Sequence, residues 1–457
     1  MADWRARLKR GVAALAVGLT LAGPASAQTL ADAFASGYRN SGLLDQNRAL
    51  LRAADEDVAQ AIAALRPVIN WSASTTVRLP RPNPNTPELS NQLAISGELT
   101  LYDGGANQYA VEVQKELVLA TRASLLSVEQ EVLLRVAEAY LEYQRASAFV
   151  GLRQNNVRLI TQELRAARDR FEVGEVTRTD VSLAEARLAA ARSQLAAEEG
   201  GLARAFEEYR AAVGARPGAL APATPATLPA SLAEARAIAL GNHPALDEAR
   251  HNVTATELNI LRARAAMRPS LRLNGQVSTD FEGNEVTQFG LTAGGPIYQG
   301  GRLASQVRQF QARRDAARAG LHVTSLTIEQ NVGIAWSFVE VARASREATE
   351  RQVRAATSAF NSVREEATLG ARTTLDVLNA EQELLDARAS LVSSQVDQTV
   401  AGYTLLSAMG LLTAQNLGLD VQIYDPAAYY NLVRDAPAAL SEQGRALDRV
   451  LQAIGDN

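Results

Sequence analysis

Residues 368–377 read TLGARTTLDV and residues 172–181 read EVGEVTRTDV, so the chain carries nearly the same segment twice. Gly174 and Gly370 hold matching places in the two copies, 196 residues apart. Each copy lies between two long alanine-rich stretches whose apolar residues recur at helical spacing. A glycine at this place can end the first helix in a left-handed conformation. The sequence therefore predicts one helical hairpin, made twice.

A threonine and an aspartate follow each glycine at the same interval. Thr177 precedes Asp180 by three residues, as Thr373 precedes Asp376. This is the spacing of a capping box, in which each side chain accepts a hydrogen bond from the other residue's backbone N–H. The pattern predicts that the returning helix of each hairpin begins directly after the threonine.

Further paired segments extend the duplication beyond the hairpins. Residues 29–33 read TLADA and residues 231–235 read SLAEA, an offset of 202. Residues 102–105 read YDGG and residues 298–301 read YQGG, an offset of 196. The six-residue difference is explained by the proline-rich segment 80–87, which is typical of a loop. The chain is therefore two copies of one unit that differ mainly in the length of a loop.

The duplication predicts how the chain is divided. The first unit covers residues 28–214, a proline-rich linker covers 215–230, the second unit covers 231–412, and a C-terminal tail covers 413–457. Each unit is expected to contain a helix, two strands, a long helix and a returning helix. The strands and the last two helices are predicted at 68–79, 90–101, 105–173 and 177–213, then at 270–281, 285–295, 301–369 and 373–409.

The predicted strands alternate between apolar and polar residues. From Ile69 to Leu79 the odd positions are mostly apolar and the even positions polar, and the other three strands follow the same rule. Strands of about ten residues with one apolar face are typical of membrane β-barrels. A soluble antiparallel sheet with one wet face has the same alternation.

Four strands cannot close a barrel. Inside a bilayer an open sheet edge leaves backbone groups unpaired, at several kcal/mol each. If the strands enter a membrane, they must join strands of other copies. The sequence then predicts an oligomer.

The N-terminus has the pattern of a secretory signal peptide over residues 1–27. Basic residues at positions 5–10 precede an apolar run at 12–22, and residues 24–27 read PASA. We expect cleavage after Ala27. The apolar run is too short to span a bilayer, and no other stretch approaches the roughly 20 apolar residues that a membrane helix requires.

Composition argues against several classes of function. The chain has no cysteine, which excludes disulfides, thiolate metal sites and thiol catalysis. A net charge of −4 and a pI near 5.7 argue against a nucleic-acid partner. His243, His251 and His322 show no metal-ligand spacing with acidic residues. We expect no catalysis, no cofactor and no bound metal.

In their order along the chain, the signal peptide, duplicated unit, paired strands and glycine-containing tips resemble the TolC family of outer-membrane efflux proteins. The resemblance covers residues 29–412. It implies a homotrimer whose twelve strands form one barrel in the lipid of the outer membrane, continued by a helical tunnel into the periplasm. It also implies a periplasmic adaptor protein and an inner-membrane transporter of RND or ABC type as partners. The duct would export drugs, toxins or, in type I secretion, polypeptides.

The resemblance assigns a gate to the hairpin tips. Asp376 from three chains would form a ring of carboxylates, and Arg372 would bond to Thr179 and Asp180 of the neighbouring tip. Asn379 stands where the family often has a second acidic residue. An arginine near clustered carboxylates offsets their repulsion, so closure would be electrostatically adjustable. The alternative is that both aspartates serve only as helix caps.

The tips are also the expected contact with the adaptor, because their small residues leave room for another helical hairpin. The expected adaptor contacts are Val173, Gly174, Glu175, Leu369, Gly370 and Ala371.

Ala367 occupies the place of a tyrosine that commonly supports the gate in the family.

Two other classes of protein are compatible with parts of the sequence. A soluble periplasmic coiled-coil adaptor would explain the long helices but not the four alternating strands. A secreted hydrolase would explain the signal peptide, but the chain has neither a cysteine nor a zinc-protease His-Glu pair.

Overall fold

The computed structural model describes residues 27–77, 79, 89–280, 283–439 and 441–455. The predicted signal peptide up to residue 26 and the proline-rich loop lie outside the described residues. So do positions 78 and 281, at the ends of two predicted strands.

Helices and strands follow one another in the same order in the two halves. The first half contains α1 (Leu30–Asn40), α2 (Gly42–Ala63), β1 (Val68–Val77), β2 (Leu89–Tyr102), α3 (Ala106–Glu172) and α4 (Arg178–Val213). The second half contains α5 (Leu232–Asn242), α6 (Pro244–Ala265), β3 (Ser270–Asp280), β4 (Glu285–Gly294), α7 (Arg302–Thr368) and α8 (Thr374–Ala408). The tail adds α9 (Pro426–Val433) and α10 (Glu442–Gly455).

The four strands form one antiparallel sheet in the order β1-β2-β3-β4, so the two halves join between β2 and β3. Trp71 pairs with Ile95, and Ile95 pairs with Val277. Paired residues lie on the same face of a sheet, so the odd-numbered positions of all four strands share one face. The predicted alternation is confirmed, and it extends across the junction between the halves.

The apolar face of this sheet is uncovered within the chain. Trp71 is 76% exposed, Ile95 56% and Phe289 77%. The opposite face carries polar pairs, including an ion pair between Arg272 and Glu98 at 3.4 Å. Large exposed apolar surfaces mark sites of contact with lipid or with another protein. The apolar face of the sheet is therefore expected to contact lipid or another protein, because no other described part of the single chain covers it.

The long helices form two hairpins with shorter helices packed along them. Helix α3 packs against α2, α4, α6 and α8, while α7 packs against α5, α6 and α8. Of the described residues, no helix combines the length and the apolar content that crossing a membrane requires.

The main core lies midway along the hairpins. Tyr140 and Tyr209 are fully buried there, with ring centroids 6.3 Å apart. At Gly37 of α1 a Cβ atom would lie 2.4 Å from Cγ2 of Val136 on α3. Helix α1 can therefore approach α3 this closely only because the residue is glycine.

The linker between the halves is paired with the start of the described chain. Gln28 forms a parallel bridge with Leu220, and the N–H of Gln28 donates to the carbonyl of Ala219 at 2.8 Å. The hydroxyl oxygen of Tyr140 lies 2.8 Å from the carbonyl oxygen of Gln28 and 2.7 Å from that of Ala221. These contacts hold both segments against α3.

The C-terminal tail, to which sequence analysis assigned no role, packs against α2. The Tyr429 hydroxyl donates to Oε1 of Glu56 at 2.6 Å. Beside it, Asp55 is fully buried 3.9 Å from the guanidinium of Arg122, which lies over the ring of Tyr430. Burial raises the pKa of Asp55 to about 6. Helix α9 therefore covers a buried charge pair between α2 and α3.

The paired glycines at the strand-to-helix turns have positive φ but unequal surroundings. Gly104 has φ +70° and a Cβ there would lie 2.9 Å from the carbonyl oxygen of Ala265, whereas Gly300 has φ +58° with open space around it. Left-handed backbone costs an alanine about 1 kcal/mol at either site.

We expect Gly104→Ala to lower the melting temperature clearly more than Gly300→Ala does. Unfolding is followed by circular dichroism in detergent. Equal decreases in melting temperature would show that the close packing of Gly104 against Ala265 does not contribute to stability.

Candidate gate at the helical tips

Both hairpin tips end their first helix in a Schellman motif. At the first tip Gly174 has φ +78°, its N–H donates to the carbonyl of Phe171 at 3.0 Å, and the Glu175 N–H donates to Arg170 at 2.9 Å. Gly370 at the second tip has φ +79° and the same bonding pattern. The left-handed conformation reverses the chain directly after the helix. The prediction that both glycines end their helices in this conformation is therefore confirmed.

Both returning helices begin in a capping box, as predicted. The Thr177 hydroxyl accepts from the Asp180 N–H at 3.3 Å, and Oδ2 of Asp180 accepts from the Thr177 N–H at 2.9 Å. Thr373 and Asp376 repeat this arrangement at 3.2 and 3.0 Å. These hydrogen bonds satisfy backbone donors that the first turn of a helix leaves unpaired.

The capping bonds also fix the charge of the two aspartates. Hydrogen bonds from Thr177, the side-chain bond first, lower the pKa of Asp180. Hydrogen bonds from Thr373, the backbone bond first, lower the pKa of Asp376. Both carboxylates therefore stay ionised at neutral pH while they remain at the surface.

Arg372 has a partner within its own hairpin. Its Nε donates to Oε2 of Glu366 at 2.8 Å, and this hydrogen bond raises the pKa of Arg372. Glu366 is not marked by any motif of the sequence, although it lies six residues before Arg372, across the glycine turn. Thr179 and Asp180, the expected partners from a neighbouring chain, belong to the other tip.

Asn379 connects the two hairpins. Its Oδ1 accepts a hydrogen bond from Nη2 of Arg187 on α4 at 3.1 Å. No motif of the sequence points to Arg187, which lies 192 residues away along the chain. Asn379 therefore links α8 to α4 through a hydrogen bond from the positively charged side chain of Arg187.

The outermost part of each tip is apolar and exposed. Val173 is 71% exposed and Leu369 is 85% exposed. A Cβ atom built on Gly174 or Gly370 would meet no atom within 4 Å. Each tip thus presents a small apolar projection with free space beside it.

Two of the three histidines make contacts within the described part of the chain. His243 caps α6 by accepting a hydrogen bond from the Ala245 N–H at 3.2 Å, and Nδ1 of His251 lies 2.7 Å from Glu116. Among the described residues, no group of three or more His, Cys, Asp or Glu side chains is placed to hold a metal ion.

A sheet with an uncovered apolar face, joined to two long helical hairpins, defines a subunit of an outer-membrane channel. The chain belongs to the outer membrane efflux protein family, whose model matches residues 39–215 and 236–411. The predicted resemblance to TolC-type proteins is confirmed. So is the predicted location in the outer membrane with extension into the periplasm. The alternative of a soluble periplasmic adaptor is wrong, because this family consists of outer-membrane channels.

Relatives match nearly the whole chain. The outer membrane efflux protein BepC of Brucella suis biovar 1 (strain 1330) is 35% identical over 433 residues, which are 93% of this chain and 94% of BepC. The proteases secretion protein PrtF of Dickeya chrysanthemi is 26% identical over 438 residues, 90% of this chain and 94% of PrtF. The Campylobacter jejuni CmeC outer membrane channel has the same fold, with a TM-score of 0.74 at 15% identity over 90% of each chain.

Removal of one capping hydroxyl is expected to loosen one helix start. Thr177→Ala deletes the acceptor for the Asp180 N–H, and loss of such a cap costs about 1 kcal/mol. We expect hydrogen exchange in the first turn of α4 to accelerate about fivefold, with the first turn of α8 unchanged. Ser182→Ala, an exposed change on the same helix, should leave exchange at its wild-type rate. An equal acceleration in both variants would contradict the cap.

Proposed function

We propose that three copies of this chain form a passive exit duct of an efflux system, gated by the two hairpin tips. The supporting observation is the four-stranded sheet, which exposes its apolar face and has β1 and β4 at its edges. Three such sheets joined edge to edge give the twelve strands of a barrel that satisfies its backbone in lipid. Energy for transport would come from an inner-membrane transporter of RND or ABC type.

The outer surface of α7 supports lateral packing of copies. Val323, Phe338 and Val341 are each more than half exposed along this helix. Such a row of large apolar side chains favours burial against a neighbouring helix. Contact between copies would then run from the sheet down the length of the hairpins.

The gate would work by exchanging ionic partners. In the single chain Arg372 pairs with Glu366, and both side chains are about half exposed. In the closed assembly we place Arg372 against Thr179 and Asp180 of the neighbouring tip, with Asp376 facing the axis. Asp180 and Asp376 are already held ionised by their caps, so the bond across the interface would need no proton transfer.

The gate is tested by the conductance of the reconstituted protein. Arg372→Ala removes the cation of the closed tip, and we expect a severalfold higher single-channel conductance; Asp180→Ala should act in the same direction. Arg351→Ala breaks an exposed pair with Glu347 on the same helix as Glu366 and should leave the conductance unchanged. Thr177→Ala keeps the Asp180 carboxylate and so separates loss of the cap from loss of the charge. Unaltered currents in Arg372→Ala would refute the gate.

The apolar tips would receive the helical hairpin of a periplasmic adaptor. Gly174→Leu and Gly370→Leu place a bulky side chain in the free space beside each tip, so efflux should be lost while the heat-modifiable trimer persists. Gly418→Leu imposes the same left-handed strain (φ +60°) in open space within the tail and is the matched control. Normal drug resistance of cells with the tip variants would exclude the adaptor contact.

Export of polypeptides is a second candidate, supported by the identity to the proteases secretion protein PrtF. A deletion strain distinguishes the two cargoes. Increased drug sensitivity with unchanged secreted proteins indicates efflux, whereas missing secreted proteins indicate type I secretion.

A further inference from the structure

A buried polar pair joins the two hairpins above the tips. Oε1 of Glu381 on α8 accepts a hydrogen bond from Nδ2 of Asn156 on α3 at 2.7 Å. Glu381 is only 6% exposed and Asn156 only 5%. Glu381 lies five residues beyond Asp376, about 7.5 Å along the helix axis. The pair is therefore close enough to the proposed gate to move with it.

The second carboxylate oxygen of Glu381 is buried, and no group in the described part of the chain bonds to it. Glu381 lines a cavity of about 160 Å³ between α3, α7 and α8. Leu159 and Phe360 supply apolar walls, and Thr357 and Asn361 supply neutral polar groups. Leaving a buried ionised oxygen without a partner is costly, so this site favours the neutral carboxyl.

The charged groups around the pair do not offset the cost of ionisation. From α3, Glu163 adds a like charge, and from α4, Arg187 is bonded to Asn379 instead. Arg388 of α8 lines the cavity but is itself exposed. The α7 residues at the cavity are uncharged. Burial, with Glu163 adding to it, raises the pKa of Glu381 to about 7, against the opposing bond from Asn156.

We propose that Glu381 is a proton-operated latch: the neutral carboxyl holds α8 against α3, and the ionised carboxylate favours separation of the two hairpins. A glutamine at this position could accept the same hydrogen bond from Asn156 without burying a charge. The glutamate therefore makes the contact dependent on pH, which the hydrogen bond alone does not require. The inference extends the proposed gate, since separation of α8 from α3 would move the second tip.

The direction of the pH effect follows from the raised pKa. The packed state binds the proton more tightly than a solvated glutamate, whose ordinary pKa is 4.5. The stabilising contribution of Glu381 is therefore fully present below that value and is lost as the pH rises through about 7. Between 4.5 and about 7 the equilibrium between separated and packed hairpins shifts by up to about tenfold per pH unit, and above about 7 it no longer changes with pH.

The test compares the full-length trimer with three variants. Glu381→Gln keeps the hydrogen-bond acceptor and cannot ionise, and Glu381→Ala removes both acceptor and charge. Asp386→Asn neutralises an exposed carboxylate on the same helix and is the control. Because the chain has no cysteine, spin labels can be placed at Gln154→Cys and Ser390→Cys, exposed positions on α3 and α8. A heat-modifiable trimer on a denaturing gel confirms assembly of each variant.

We expect the label-to-label distance and the single-channel conductance of the wild type to rise together as the pH increases from 4.5 to about 7, and to stay level at higher pH. Asp386→Asn should follow the wild type, Glu381→Gln should stay packed at every pH, and Glu381→Ala should stay separated. A wild-type distance that does not change with pH, or a pH response that survives in Glu381→Gln, would overturn the latch.

The latch and the gate fail in different ways. If Arg372→Ala leaves the currents unchanged, the proposed gate is wrong, yet the distance measurement still decides the role of Glu381. If the distances do not change while Arg372→Ala raises the conductance, the gate stands and the latch is wrong.

Discussion

The requirement that every backbone hydrogen bond be satisfied in lipid is the constraint on which the rest of this structure depends. One chain supplies four antiparallel strands with an exposed apolar face and two sheet edges. Such a sheet is stable in a membrane only when its edges are joined to others. The joining of sheet edges therefore determines how the copies assemble, and the hairpins below the sheet are arranged with the same symmetry.

Duplication gives the two hairpins the same backbone but not the same chemistry. Both tips are built from a Schellman motif followed by a capping box, so Asp180 and Asp376 are held ionised by their own helix starts. Only the second tip adds the Arg372–Glu366 ion pair. Helix capping and gating are therefore compatible uses of one carboxylate, because the cap leaves the side chain at the surface.

Buried carboxyl groups occur where elements distant in sequence meet. Asp55 and Arg122 lie under the C-terminal tail, and Glu381 meets Asn156 between the two hairpins. Residues of this kind cost free energy unless they are paired, so they tolerate few alternative packings. The pair of Asp55 and Arg122 is covered by α9, whereas Glu381 lines a cavity between the hairpins. Burial raises the pKa of both carboxyl groups, to about 6 for Asp55 and about 7 for Glu381, so both contacts can titrate.

The sequence by itself determined the duplicated hairpin, the helix caps, the left-handed glycines and the alternation of the four strands, because each depends on interactions between residues close along the chain. The family and its fold were also predictable from the order of these motifs. Only the tertiary structure decided that Arg187 meets Asn379, that Glu381 meets Asn156, and that the tail packs on α2. Those contacts join residues 192, 225 and 373 positions apart. The first two depend on the register of one long helix against another, which no local pattern in the sequence specifies.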